Sequence, residues 1–79
     1  MEIFCKQLKK SREKSGLSQA AVSKKLGYKS PQFVSNWERS LILPPIKTIF
    51  ILSKLYKDKS LKKYLLQYYE RRINSNWSD

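Results

Sequence analysis

The chain has 79 residues, of which 17 are Lys or Arg, six are Asp or Glu and none is His, for a formal net charge of +11. That length holds one small domain, and 41% hydrophobic residues supply enough apolar surface for one core. The single cysteine, Cys5, forms no intrachain disulfide, and without histidine it cannot complete a structural zinc site or a histidine-based acid–base pair.

The first helix is expected from about Ile3 to Lys14. Phe4, Leu8 and Ser11 share one face with Cys5 beside them, and Lys6, Lys9, Lys10 and Lys14 take much of the rest. Gly16 suits the left-handed position that closes a helix. Ser18 is a good N-cap for a second helix, Gln19 to Leu26, which buries Val22 and Leu26 and ends at Gly27. Ser30 then caps a third helix at 31–39, with Pro31 at its first position. Pro44 and Pro45 launch a fourth, about Pro45 to Tyr56, with Ile49, Leu52, Ser53 and Tyr56 inward. A fifth is expected over 60–73, and residues 74–79 read as a flexible tail. No strand pattern or hairpin signal interrupts this series. The expectation is an all-α, compact five-helix bundle, one domain over residues 1–73.

No apolar run reaches the roughly 20 residues that span a bilayer, and the first residues lack the pattern of a secretory signal. A soluble protein of a reducing, cytoplasmic compartment is expected. Its charge favours a polyanion as partner, most often nucleic acid, rather than a membrane.

The third helix carries the functional reading. At 100° per residue, Val34, Trp37 and Glu38 fall on one side, and Gln32, Ser35, Asn36 and Arg39 on the other. The outer four are all polar, and none is acidic. They are either a solvated face or a set of base readers. Gln and Asn each have the donor–acceptor pair that matches adenine N6 and N7 in the major groove, and Arg39 suits guanine or a phosphate. Phe33 lies at the rim between the faces, placed either to touch a thymine methyl or to pack on the turn.

From Leu8 to Tyr56 the chain resembles the Cro/repressor-type, XRE-like helix-turn-helix family. The resemblance is carried by Arg12-Glu13-Lys14-Ser15-Gly16-Leu17-Ser18-Gln19, by Val22 and Leu26-Gly27, by Val34-Ser35-Asn36-Trp37-Glu38-Arg39, and by the prolines and the Ile49, Leu52, Ser53, Tyr56 face. It covers about two thirds of the chain. It implies that Gln32, Ser35 and Asn36, with Arg39 beside them, contact bases. It implies that Gln19, at the start of the second helix, meets a phosphate. Lys29, Ser30 and Lys47 flank the third helix as further phosphate candidates, which position the protein without reading sequence. It also matches Arg12 and Glu38 to an ion pair that joins the first helix to the third. Glu38 beside Trp37 is costly without such a partner, and the planar guanidinium of Arg12 supplies one. Two departures stand out. The stretch from Gly27 to Glu38 is one residue longer than usual, which leaves open which of Ser30, Pro31 and Gln32 reaches a base. Ser40 replaces the usual glycine, which predicts a different helix end.

In the last helix, Leu61, Tyr64, Leu65 and Tyr68 form one stripe, and Leu66, Tyr69 and Ile73 widen it. So small a domain covers one stripe more easily than two, and family members bind two-fold sites as dimers. Tyr68, Tyr69 and Ile73 are therefore the candidate homodimer contacts, the alternative being that they fold back into the intramolecular core. The expected function is a sequence-specific, double-stranded-DNA-binding transcriptional regulator, a dimeric repressor, with no cofactor or metal and no enzymatic activity. The alternative is an antitoxin or adaptor whose basic surface grips a toxin-like protein partner.

Overall fold

In the computed structural model, which describes residues 2–64 and 66, every regular element is helical. Helix α1 spans Glu2–Lys14, α2 Gln19–Lys25, α3 Gln32–Glu38 and α4 Ile46–Leu55, and a further helical segment opens at 61–64. The all-α architecture expected from periodicity is present. Residues 65 and 67–79 lie outside the described residues, and with them most of the fifth helix and the tail.

The core follows from the spacing of apolar residues. Phe4, Cys5, Leu8, Ser11 and Arg12 are the buried side of α1, the i, i+1, i+4, i+7, i+8 stripe of a helix packed along its length. Val22 and Ser23 face inward from α2, Val34 and Trp37 from α3, and Ile49, Leu52 and Ser53 from α4. Leu61 is fully buried among them, and Tyr64 packs at the edge with its ring centroid 5.6 Å from that of Phe4. The first turn of the last helix therefore belongs to the core. Leu66, a turn later, is exposed.

Helix α3 packs against both α1 and α2, so its position is set from two sides. All four of these helices end the same way. The amide two residues past the cap reaches back to a carbonyl five residues earlier: Leu17 to Arg12, Tyr28 to Ser23, Leu41 to Asn36 and Asp58 to Ser53. The residue before each of those amides has positive φ: Gly16 at 74°, Gly27 at 86°, Ser40 at 62° and Lys57 at 53°. This is the Schellman closure, which satisfies the last carbonyls of a helix. The expectation of a different end at Ser40 is corrected: the same closure forms, with serine in the left-handed conformation. A second correction concerns the start of α3. Pro31, not Ser30, is the capping residue, and it supplies no side-chain hydrogen bond. Ser30 instead accepts from the Gln32 amide through its Oγ, at 3.4 Å.

Candidate nucleic-acid interface

Burial orients α3. Trp37 is 2% exposed and Val34 1%, so the helix cannot roll without opening the core. Removing apolar surface of that size from water stabilises by about 1.5–3 kcal/mol per side chain. The opposite side then faces out. Gln32 and Arg39 are exposed, and Ser35 and Asn36 are half-buried.

Two of those outer side chains are already coupled. Gln32 donates through Nε2 to Asn36 Oδ1 at 3.0 Å, one turn along the helix. That bond uses neither Gln32 Oε1, an acceptor, nor Asn36 Nδ2, a donor. One acceptor beside one donor is the complement of an adenine edge in the major groove.

Beneath this face lies a polar clamp. Arg12 donates through Nε to Glu38 Oε2 at 2.6 Å and through Nη2 to Glu38 Oε1 at 3.0 Å, a bidentate pair between α1 and α3. The two side chains are 10% and 3% exposed. Arg12 Nη1 also donates to the Leu17 carbonyl at 2.9 Å, and Gln19 Nε2 donates to Glu38 Oε1 at 2.9 Å. Glu38 thus ties together α1, the start of α2, and α3. Its hydrogen bond to Arg12 holds the guanidinium pKa above its ordinary value, against the opposing effect of burial. The structure brings Gln19 into this network, so its amide nitrogen is committed to Glu38.

The remaining predicted contacts surround α3. Lys29 and Ser30 are exposed in the turn before it, and Lys47 is exposed on the first turn of α4. Tyr68, Tyr69 and Ile73 lie outside the described residues. Sequence reasoning missed one polar cluster far from this face. Gln7, Ser11 and Ser60 donate side-chain hydrogen bonds to Asp58, joining α1 to the exit of α4. The Ser11 bond, followed by those of Ser60 and Gln7, lowers the Asp58 carboxyl to about 2. Burial pushes the nearby Tyr56 phenol upward. Among the described residues no group of acidic or cysteine side chains is arranged to hold a metal, and no helix is long and apolar enough to cross a membrane.

A short helix, a tight turn and a second helix with a polar outer face, set by a tryptophan and an ion pair, define the helix-turn-helix class of DNA-binding regulators. A helix-turn-helix family model matches residues 8–63, most of the chain, and the protein belongs to this Cro/XRE-like family. No match emerged among curated proteins or among solved structures.

Proposed function

We propose that this protein is a sequence-specific transcriptional repressor that binds double-stranded DNA as a homodimer, with α3 in the major groove. Gln32, Ser35, Asn36 and Arg39 meet base edges. Gln19, Lys29, Ser30 and Lys47 meet phosphates and fix the register of α3 on the duplex. The observation that carries this reading is the orientation of α3: Trp37 and the Arg12–Glu38 pair hold its inner side, and its outer side presents polar, non-acidic groups, with Phe33 exposed at the rim, beside exposed lysines. Gln19 serves from within the Glu38 network, which fixes its carbon chain at the start of α2 while its backbone approaches the duplex.

The dimer rests on the apolar stripe that continues beyond Tyr64 through Tyr68, Tyr69 and Ile73, where Leu66 is already exposed. A two-fold protein reads a two-fold site, with half-sites about 34 Å apart or a multiple of it. Repression follows by occlusion of a promoter in the bacterial or phage-infected cytoplasm.

Selection from random duplex DNA tests the whole reading. The expected outcome is an enriched motif with two-fold symmetry. Its affinity falls with salt by about 0.9 log units per log unit of salt for each phosphate neutralised. An enriched motif without symmetry removes the dimer. A flat profile removes sequence reading and transfers the case to the antitoxin or adaptor alternative.

A further inference from the structure

We propose that Phe33 is a specificity-determining residue, which reads the 5-methyl group of a thymine beside the bases met by Gln32 and Asn36. The inference rests on the proposed docking of α3 and adds to it an apolar contact with its own chemistry.

Phe33 is a large apolar side chain in the first turn of α3, yet it is 49% exposed. It is not loose. Its ring centroid lies 4.7 Å from that of Tyr28, inclined by 35°. Tyr28 in turn meets the buried Trp37 at 6.1 Å and 67°, an edge-on contact. Three rings therefore run from the core to the surface, each in the distance range where aromatic pairs attract. Of the two placements open to Phe33 from sequence, packing on the turn is realised through Tyr28, and about half of the side chain stays exposed.

That exposed half has a definite position. On the helical wheel Phe33 stands next to Asn36, at the edge of the outer face. Lys29 and Ser30 lie in the same turn as Tyr28, exposed. The ring therefore sits inside the basic, groove-facing region and not on a remote surface. In the major groove the thymine methyl is the apolar group that distinguishes one base from the others. A phenyl edge fits it and can satisfy no hydrogen-bonding group. Facing cytosine N4 or adenine N6, the same ring would strip water from a donor without replacing the bond. Phe33 thus discriminates in two ways, by attraction to thymine and by penalty against the other bases. The stack on Tyr28 fixes the ring beforehand, so little rotamer freedom is lost on binding.

The test uses the full-length protein and the motif enriched from random duplex DNA. Each thymine of that motif is replaced singly by deoxyuridine, which keeps the pairing and removes the methyl. The dissociation constant is read by fluorescence anisotropy. For wild type, one thymine per half-site is expected to lose about three- to fivefold on replacement, the effect of one buried methyl. Phe33→Ala is expected to bind the thymine and deoxyuridine forms equally, and Phe33→Leu to keep part of the difference. Replacement that is silent at every thymine in wild type overturns the proposal, and so does a motif without thymine. A penalty of full size in Phe33→Ala also overturns it, by assigning the methyl to another side chain. In each of those cases an enriched motif leaves the docking of α3 intact, whereas a flat selection profile defeats the docking itself.

Discussion

Two polar clasps hold α1, and they differ in electrical character. At Arg12 the helix meets α3 through a bidentate ion pair whose members are both nearly sealed from water. At the adjoining Ser11, with Gln7 one turn earlier, it meets Asp58 through neutral donors alone, in a half-buried position. The first clasp sits under the proposed DNA-reading helix and cannot relax toward solvent. The second sits at the exit of α4 and retains access to water. A charge balanced by a charge in the interior makes a stiff joint that fails badly when halved. A carboxylate held by hydroxyls and an amide makes a softer joint that responds to pH.

The sharpest way to break the comparison is to halve the first clasp. Arg12→Met or Glu38→Leu leaves one buried charge without its partner, with an expected loss of about 3–5 kcal/mol in chemical denaturation. The double variant removes both charges and is expected to lose less than either single one, because no orphan remains. A double variant as unstable as the sum of the singles would show that the pair acts through packing rather than charge.

The next effect concerns binding. Gln32→Ala and Asn36→Ala alter exposed or half-buried positions, so stability is expected to change by less than about 0.5 kcal/mol. Affinity for the selected site is expected to fall by about 1–3 kcal/mol each, with binding to random DNA nearly unchanged. Gln32 and Asn36 share a hydrogen bond, so the double variant is expected to lose less than the sum of the two. Equal loss on random and selected duplex would reassign both side chains from base reading to general adhesion.

Much of this was legible in the sequence, and the reason is spacing. Val34, Trp37 and Glu38 against Gln32, Ser35, Asn36 and Arg39 is a division that a 3.6-residue period writes directly into the chain. The Arg12–Glu38 pair was accessible because a family resemblance aligned two elements that periodicity alone cannot bring together. The Asp58 clasp carried no such signal. Its bonds to Ser11 and Gln7 cross 47 and 51 residues, and each partner is a common surface type. The sequence left Phe33 open between the turn and the groove, since the longer turn between α2 and α3 decides where Tyr28 lies. The dimer candidates belong to residues that the structure does not describe.

The second clasp offers a pH-dependent test. In the unfolded chain Asp58 takes up its proton near its ordinary value of 3.8, and in the folded chain only near 2. Between those values the unfolded state binds more protons. The stabilisation is therefore complete above about pH 4 and is lost as pH falls toward 2. Solvent screening at this half-buried site reduces the full shift to about 1 kcal/mol. Denaturation of wild type and Asp58→Asn at pH 5 and pH 2.5 measures it. The difference between the two proteins is expected to shrink at the lower pH, which separates Asp58 from the other carboxylates. A difference that is constant with pH would place the role of Asp58 in hydrogen bonding alone.

The smallest predicted effect concerns the four helix ends, which share one closure but not one residue type. Gly16 and Gly27 adopt positive φ without a side chain to strain it, whereas Ser40 and Lys57 carry a Cβ into the same region. The left-handed conformation costs an ordinary residue roughly 1–2 kcal/mol, and the extra freedom of glycine in the unfolded chain offsets part of the gain. Ser40→Gly and Lys57→Gly are therefore each expected to stabilise by about 0.5–1 kcal/mol, a rise of several degrees in Tm for a domain of this size. Ser40 follows α3, and its amide donates to the Trp37 carbonyl at 3.3 Å, so Ser40→Gly keeps the backbone bonds that end the helix. Site affinity should be unchanged if the closure is already fully formed with serine. A tighter affinity would mean that strain at Ser40 opens the end of α3 in the free protein, and that the closure contributes to binding as well as to stability.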